Sequence, residues 1–156
     1  MNRFDGLDLD LLPTAAHEAG HAIAASAAGL TVVDIALWHE QGGAAGHVEL
    51  IEEPDDLDSE SLNGFLVSIV AGQEAQARFL TRYSTFALLG SARAATEGSC
   101  CDDKALFKTV HKRHPEALSR GEARHQAQRL ITQRWDRLER LAARLAKYRR
   151  LTSPAA

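Results

Sequence analysis

The sequence predicts a mainly α-helical fold with a small β-sheet, an α+β arrangement in a single domain over residues 1–156. Three observations predict it. Segments 61–81 and 120–150 carry apolar residues at helical spacing. An alanine-rich stretch at 14–28 is bounded by Pro13 and Gly29, a start and a stop for a helix. Only 31–38 and 44–50 read as strands.

Taken in order, residues 1–12 are acidic and leucine-containing, a loosely packed lead-in. Pro13 and Thr14 open the first helix, since a first-turn residue needs no N–H partner. Its alanines favour helix and let neighbouring backbones come close. The β-branched run 31–38 and the segment 44–50 flank Glu40 to Gly43, the expected loop of a strand pair, and 52–60 form an acidic loop. Leu62, Phe65, Leu66, Ile69, Val70, Ala77 and Leu80 mark a core helix. Residues 84–101 are small and irregular, and a helix over 102–112 ends before Pro115. Over 120–150 one amphipathic helix is expected, with Ala127, Leu130, Ile131, Trp135, Leu138, Leu141, Leu145 and Tyr148 on one side and arginines on the other.

Composition narrows the function classes. With 45% hydrophobic and 25% charged residues the chain has the balance of a globular protein, not a disordered one. The longest uncharged apolar stretch, 22–33, is far shorter than the roughly 20 residues a membrane span needs. No basic leader precedes an apolar core, so a cytoplasmic protein without a membrane partner is expected. Cys100 and Cys101 are adjacent, which gives no disulfide framework. Charge is split: residues 1–103 carry 17 Asp/Glu against 4 Lys/Arg, and residues 104–150 carry 14 Lys/Arg against 4 Asp/Glu. An acidic lobe docked on basic helices is the expected meaning. No aromatic or glycine-rich signature accompanies the arginines, so nucleic acid is not the expected partner. A homo-oligomer is left open.

The chemistry lies in His17-Glu18-Ala19-Gly20-His21, an HExxH motif. Residues four apart share a helix face, so both imidazoles can reach one Zn2+. Glu18, about 100° round the helix, sits beside the metal as general base. Positions 24 and 27 are alanine, which removes the metzincin third histidine. A later carboxylate is the remaining choice for the third ligand, and Glu74 lies at a gluzincin-like distance, although a solvated helix glutamate is the plainer reading. His47 reads as an exposed strand histidine and Trp135 and Tyr148 as packing residues. His111, His114 and His125 read as surface groups, and Cys100 and Cys101 as small turn residues. Strand 44–50 is a candidate edge for an extended substrate.

The run His17-Glu18-Ala19-Gly20-His21-Ala22 resembles the HEAGHA motif that opens the peptidase domain of the FtsH-type ATP-dependent zinc proteases. Ala71-Gly72-Gln73-Glu74-Ala75-Gln76 is similar to that family's GGxxAE-like helical segment, with Gln76 in place of the glutamate. Gly98-Ser99-Cys100-Cys101-Asp102 resembles the small-residue turn that ends in the family's aspartate ligand. The resemblance spans about residues 13–151. It implies zinc on His17, His21 and Asp102, with Glu18 as base. Asp103, in place of the usual apolar residue, leaves the Asp102/Asp103 register open. It further implies peptides or unfolded segments as substrates. No GxxxxGK[ST] phosphate loop occurs, so hydrolysis independent of ATP is expected. A zinc-binding regulatory domain that recognises a protein partner is the alternative.

Overall fold

The computed structural model describes residues 4–84, 89–98 and 101–154. Helix α1 (Leu12–Ala27) carries Pro13 in its first turn. It stops where Gly29 takes φ +78°, with the Gly29 N–H bonded to the Ser26 carbonyl and the Leu30 N–H to the Ala25 carbonyl. A left-handed residue at this position is what glycine supplies without strain. The segment before α1 is more tightly packed than its composition predicts. Leu11 is fully buried, and the buried Phe4 ring stands edge-on to Phe79 and Tyr83.

Strands β1 (Val32–Glu40) and β2 (Gly43–Leu50) form an antiparallel hairpin. Ile35 and Leu37 turn inward opposite Val48 and Gly46, while Ala36 and Trp38 take the other face with Asp34, which is itself buried. A third strand, β3 (Arg150–Thr152), completes the order β2-β1-β3 and pairs Leu151 with Ile35. Only the hairpin was expected from the sequence. The chain reaches β3 because Arg149 adopts φ 66°, which ends the preceding helix and turns the backbone onto β1. Strand β2 is left at the edge of the sheet.

Helix α2 (Ser59–Tyr83) follows a 3-10 turn at Pro54–Asp56 and is capped by the Asp58 side chain, which accepts the Ser61 N–H at 2.8 Å. It crosses α1 closely. A Cβ on Gly20 would stand 2.6 Å from both the Ala71 carbonyl oxygen and the Ala75 methyl, so only glycine permits this approach. Helices α3 (Leu89–Ala95) and α4 (Cys101–Arg113) pack on α2. Part of the stretch expected to be irregular is therefore helical.

The single helix expected over 120–150 is two helices, α5 (Arg120–Gln133) and α6 (Trp135–Tyr148), joined at Arg134. A reciprocal capping box between Ser119 and Glu122 starts α5. Ala123, Ala127 and Ile131 are buried on α5, which packs on α2. Trp135, Leu138, Leu141 and Leu145 are buried on α6, which packs on α1. The apolar stripe is continuous in sequence because both helices keep the same period, and the change of partner forces the break. Tyr148, expected to pack, is exposed. Among the described residues, no helix is long and apolar enough to cross a membrane.

Candidate metal centre

Helix α1 places His17 and His21 one turn apart, with ring centroids 4.6 Å from each other. Each ring is held by its Nδ1. That of His21 donates to the Ser68 carbonyl at 2.8 Å, and that of His17 lies 3.1 Å from Gln76 Oε1. Both partners sit on α2, so the close crossing of the two helices sets the ring orientations. The bonds fix Nδ1–H and turn both Nε2 atoms to the same point. Asp103 Oδ2 is there, 3.0 Å from His17 Nε2 and 3.4 Å from His21 Nε2.

The carboxylate at the imidazoles is Asp103 and not Asp102, the third ligand that the resemblance implied. The reason is the helix. Residues 102 and 103 lie in the first turn of α4, about 100° apart. Asp103 shares its face with Phe107 and Val110, both buried, whereas Asp102 is exposed. The spacing 103, 107, 110 was a signal in the sequence that pointed to Asp103.

Two observations fit this donor set to zinc. Ligands about 2.0–2.2 Å from a tetrahedral ion stand roughly 3.3 Å apart, close to the separations that Asp103 makes with the two rings. Helix α2 also passes over the ring nitrogens with no side chain in the way. A Cβ on Gly72 would lie 2.8 Å from His17 Nε2 and nearer still to His21 Nε2.

The electrostatics agree. Burial opposes ionisation of Asp103, yet the charge of His21 and hydrogen bonds from His17 and His21 hold its carboxyl well below the usual range. Burial likewise opposes protonation of His21, but the Asp103 charge and hydrogen bond, then Glu18 and Ser68, raise it to about 9. The pocket therefore favours positive charge between these groups, and a proton and a cation are alternatives there. Glu18 is buried, and burial raises its pKa, with the His21 and His17 charges working against the rise. Its side chain is accommodated by Gly46 of β2, where a Cβ would lie 2.7 Å from Glu18 Cγ.

These groups lie on the floor of a cleft of about 790 Å³. Strand β2 and residues 52–54 form one wall, and α4 the other.

Among the described residues, the remaining candidates stay outside the His17–His21–Asp103 cluster. Glu74 is neither at the cluster nor solvated. It is 2% exposed, and Arg93 grips it with two bonds of 2.7 Å while Gln128 adds one of 3.1 Å. It ties α2 to α3 and α5. His47 is exposed and lines the cleft from β2, its charge acting on Glu18 and its Nε2 3.9 Å from Asp34 Oδ2, in a group completed by Glu49. Arg150 Nε binds the other Asp34 oxygen at 2.8 Å, so this group ties β3 to β1. Trp135 is buried and its Nε1–H donates to Glu139. His114 is paired with Asp55, His111 is half-buried and His125 is exposed. Cys101 is exposed at the start of α4, and Cys100 lies outside the described residues.

Comparison of the chain with protein-family models and with curated proteins returns no match.

Proposed function

We propose that the protein is a zinc-dependent peptidase that hydrolyses peptides or unfolded segments without ATP, similar in its site to the FtsH-type peptidases. The observation that carries this reading is the convergence of His17 Nε2, His21 Nε2 and Asp103 Oδ2, with the Glu18 carboxylate beside them. His17, His21 and Asp103 would hold the ion. When bound, zinc supplies Lewis acidity that polarises a substrate carbonyl and makes water a nucleophile near neutral pH. Glu18 takes the proton from the attacking water and returns it to the leaving amine. A carboxyl whose pKa is raised by burial is suited to both transfers. The bonds from Nδ1 of each ring keep both Nε2 lone pairs aimed at the cluster. Edge strand β2 borders the cleft, where its free main-chain groups can align an extended segment across the cluster.

The test is zinc content and peptide cleavage of the purified protein against Glu18→Gln. About one zinc per chain in both, with cleavage lost in the variant, is expected. Absence of zinc refutes the reading. Zinc without cleavage in the wild type favours a zinc-binding domain that recognises a partner.

A further inference from the structure

The cleft is acidic beyond the needs of a metal. Besides Glu18 and Asp103 on its floor, it is lined by Glu40 at the end of β1, Glu52 and Glu53 after β2, and Asp102 on α4. The Lys/Arg side chain on that lining is Arg113, and its Nη1 is already 2.9 Å from Asp55. The two charges of a bound zinc would be balanced by Asp103 and Glu18, which leaves the border carboxylates in excess. Two of them are held in place. Glu52 accepts the Thr31 N–H and hydroxyl, each at 2.8 Å, bonds that hold it below its ordinary pKa. Glu40 accepts the Trp38 indole N–H at 3.0 Å.

These carboxylates do not form an ion site. Among the described residues the groups with metal-ligand spacing are His17, His21 and Asp103, and Asp34, His47 and Glu49; neither includes Glu40, Glu52 or Glu53. Their charges are spread along the walls of the cleft instead of converging on a point. Spread charge suits a chain with several cationic side chains, and low-dielectric walls focus its field on whatever enters. The charge division seen in the sequence thus has a spatial meaning. The acidic first part of the chain borders the cleft, whereas no residue of α5 or α6 lines it.

We infer that the cleft selects peptide segments rich in lysine or arginine around the bond to be cut. The inference rests on the proposed peptidase reading and adds its substrate class. It is tested with three fluorogenic peptides that share a neutral core and differ in flanks of lysine, serine or glutamate. Zinc-loaded wild type and the double variant Glu40→Lys/Glu53→Lys are compared at low and high salt. Exposed ion pairs each contribute a few-fold, so kcat/KM should be about tenfold higher for the lysine peptide than for the serine peptide. The advantage should shrink at high salt, where the Debye length falls to about 3 Å at 1 M, and should be lost or reversed in the variant. Equal rates for all three peptides, or an order unchanged in the variant, overturn the inference and leave the peptidase reading standing. Cleavage of none overturns the peptidase reading. The charge preference is then read from fluorescence anisotropy of the same peptides on zinc-loaded Glu18→Gln protein. Tighter binding of the lysine peptide supports it, and equal binding overturns it.

Discussion

Asp103 Oδ2 stands 3.0 Å from His17 Nε2 although 86 residues separate the two in the chain. Helices α1 and α4 both pack on α2, and Gly72 of α2 leaves the space in which the carboxylate and the rings meet. Asp103→Ala should weaken zinc binding by at least about 100-fold in competition with a chromophoric chelator. Asp102→Ala, which removes an exposed side chain, should change it by less than about threefold. Equal losses would refute the assignment of Asp103.

Gly72→Ala places a methyl against both ring nitrogens. The neighbours are two rings anchored through their Nδ1 atoms, so the overlap cannot relax cheaply. We expect a destabilisation of about 1–3 kcal/mol, and zinc affinity reduced beyond what Ala71→Gly produces. Unchanged zinc affinity with a native melting temperature would contradict the close passage of α2.

Metal removal should expose a pH dependence. In the chelator-treated chain His21 is raised from 6.5 to about 9, chiefly by Asp103 acting against burial. A raised pKa in the folded state stabilises fully below the unfolded value and is lost as pH rises. The stabilisation should therefore hold at pH 6 and fade between about 6.5 and 9. Its size is on the order of 3 kcal/mol from the shift alone. Asp103 is shifted the other way, so its contribution is present above its ordinary value of 3.8 and fades in stronger acid. Urea unfolding at pH 6 and pH 9.5 checks the first window. Equal stability at the two values would show that the Asp103–His21 pair does not form.

Glu74→Ala should leave Arg93 and Arg124 facing a buried gap on α2. Removing one partner of a buried pair costs about 3–5 kcal/mol, so the midpoint of urea unfolding should fall markedly. Zinc stoichiometry at saturating metal should remain one per chain. Loss of the metal with the fold retained would make Glu74 a ligand after all.

The HExxH spacing, the helical ends at Pro13 and Gly29, and the β1–β2 hairpin were all legible in the sequence, because each depends on residues within a few positions of one another. Helical period alone places His17 and His21 on one face and Glu18 beside it. The resemblance pointed to Asp102, and the structure brings Asp103 instead, on the face of α4 that Phe107 and Val110 bury. What lies beyond local pattern was decided by tertiary packing. The break at Arg134 arises because α5 docks on α2 and α6 on α1, while one uninterrupted apolar period suits either a straight helix or two. Strand β3 has no alternating pattern of its own, and β1 supplies its hydrogen-bond partners. Glu74 reads as a solvated helix residue until Arg93, from the adjacent α3, closes over it. The orientation of the imidazoles depends on Ser68 and Gln76, 47 and 59 residues away. Such contacts carry no periodicity, and they exist only because two glycine- and alanine-rich helices approach closely enough for a ring nitrogen to reach the other helix.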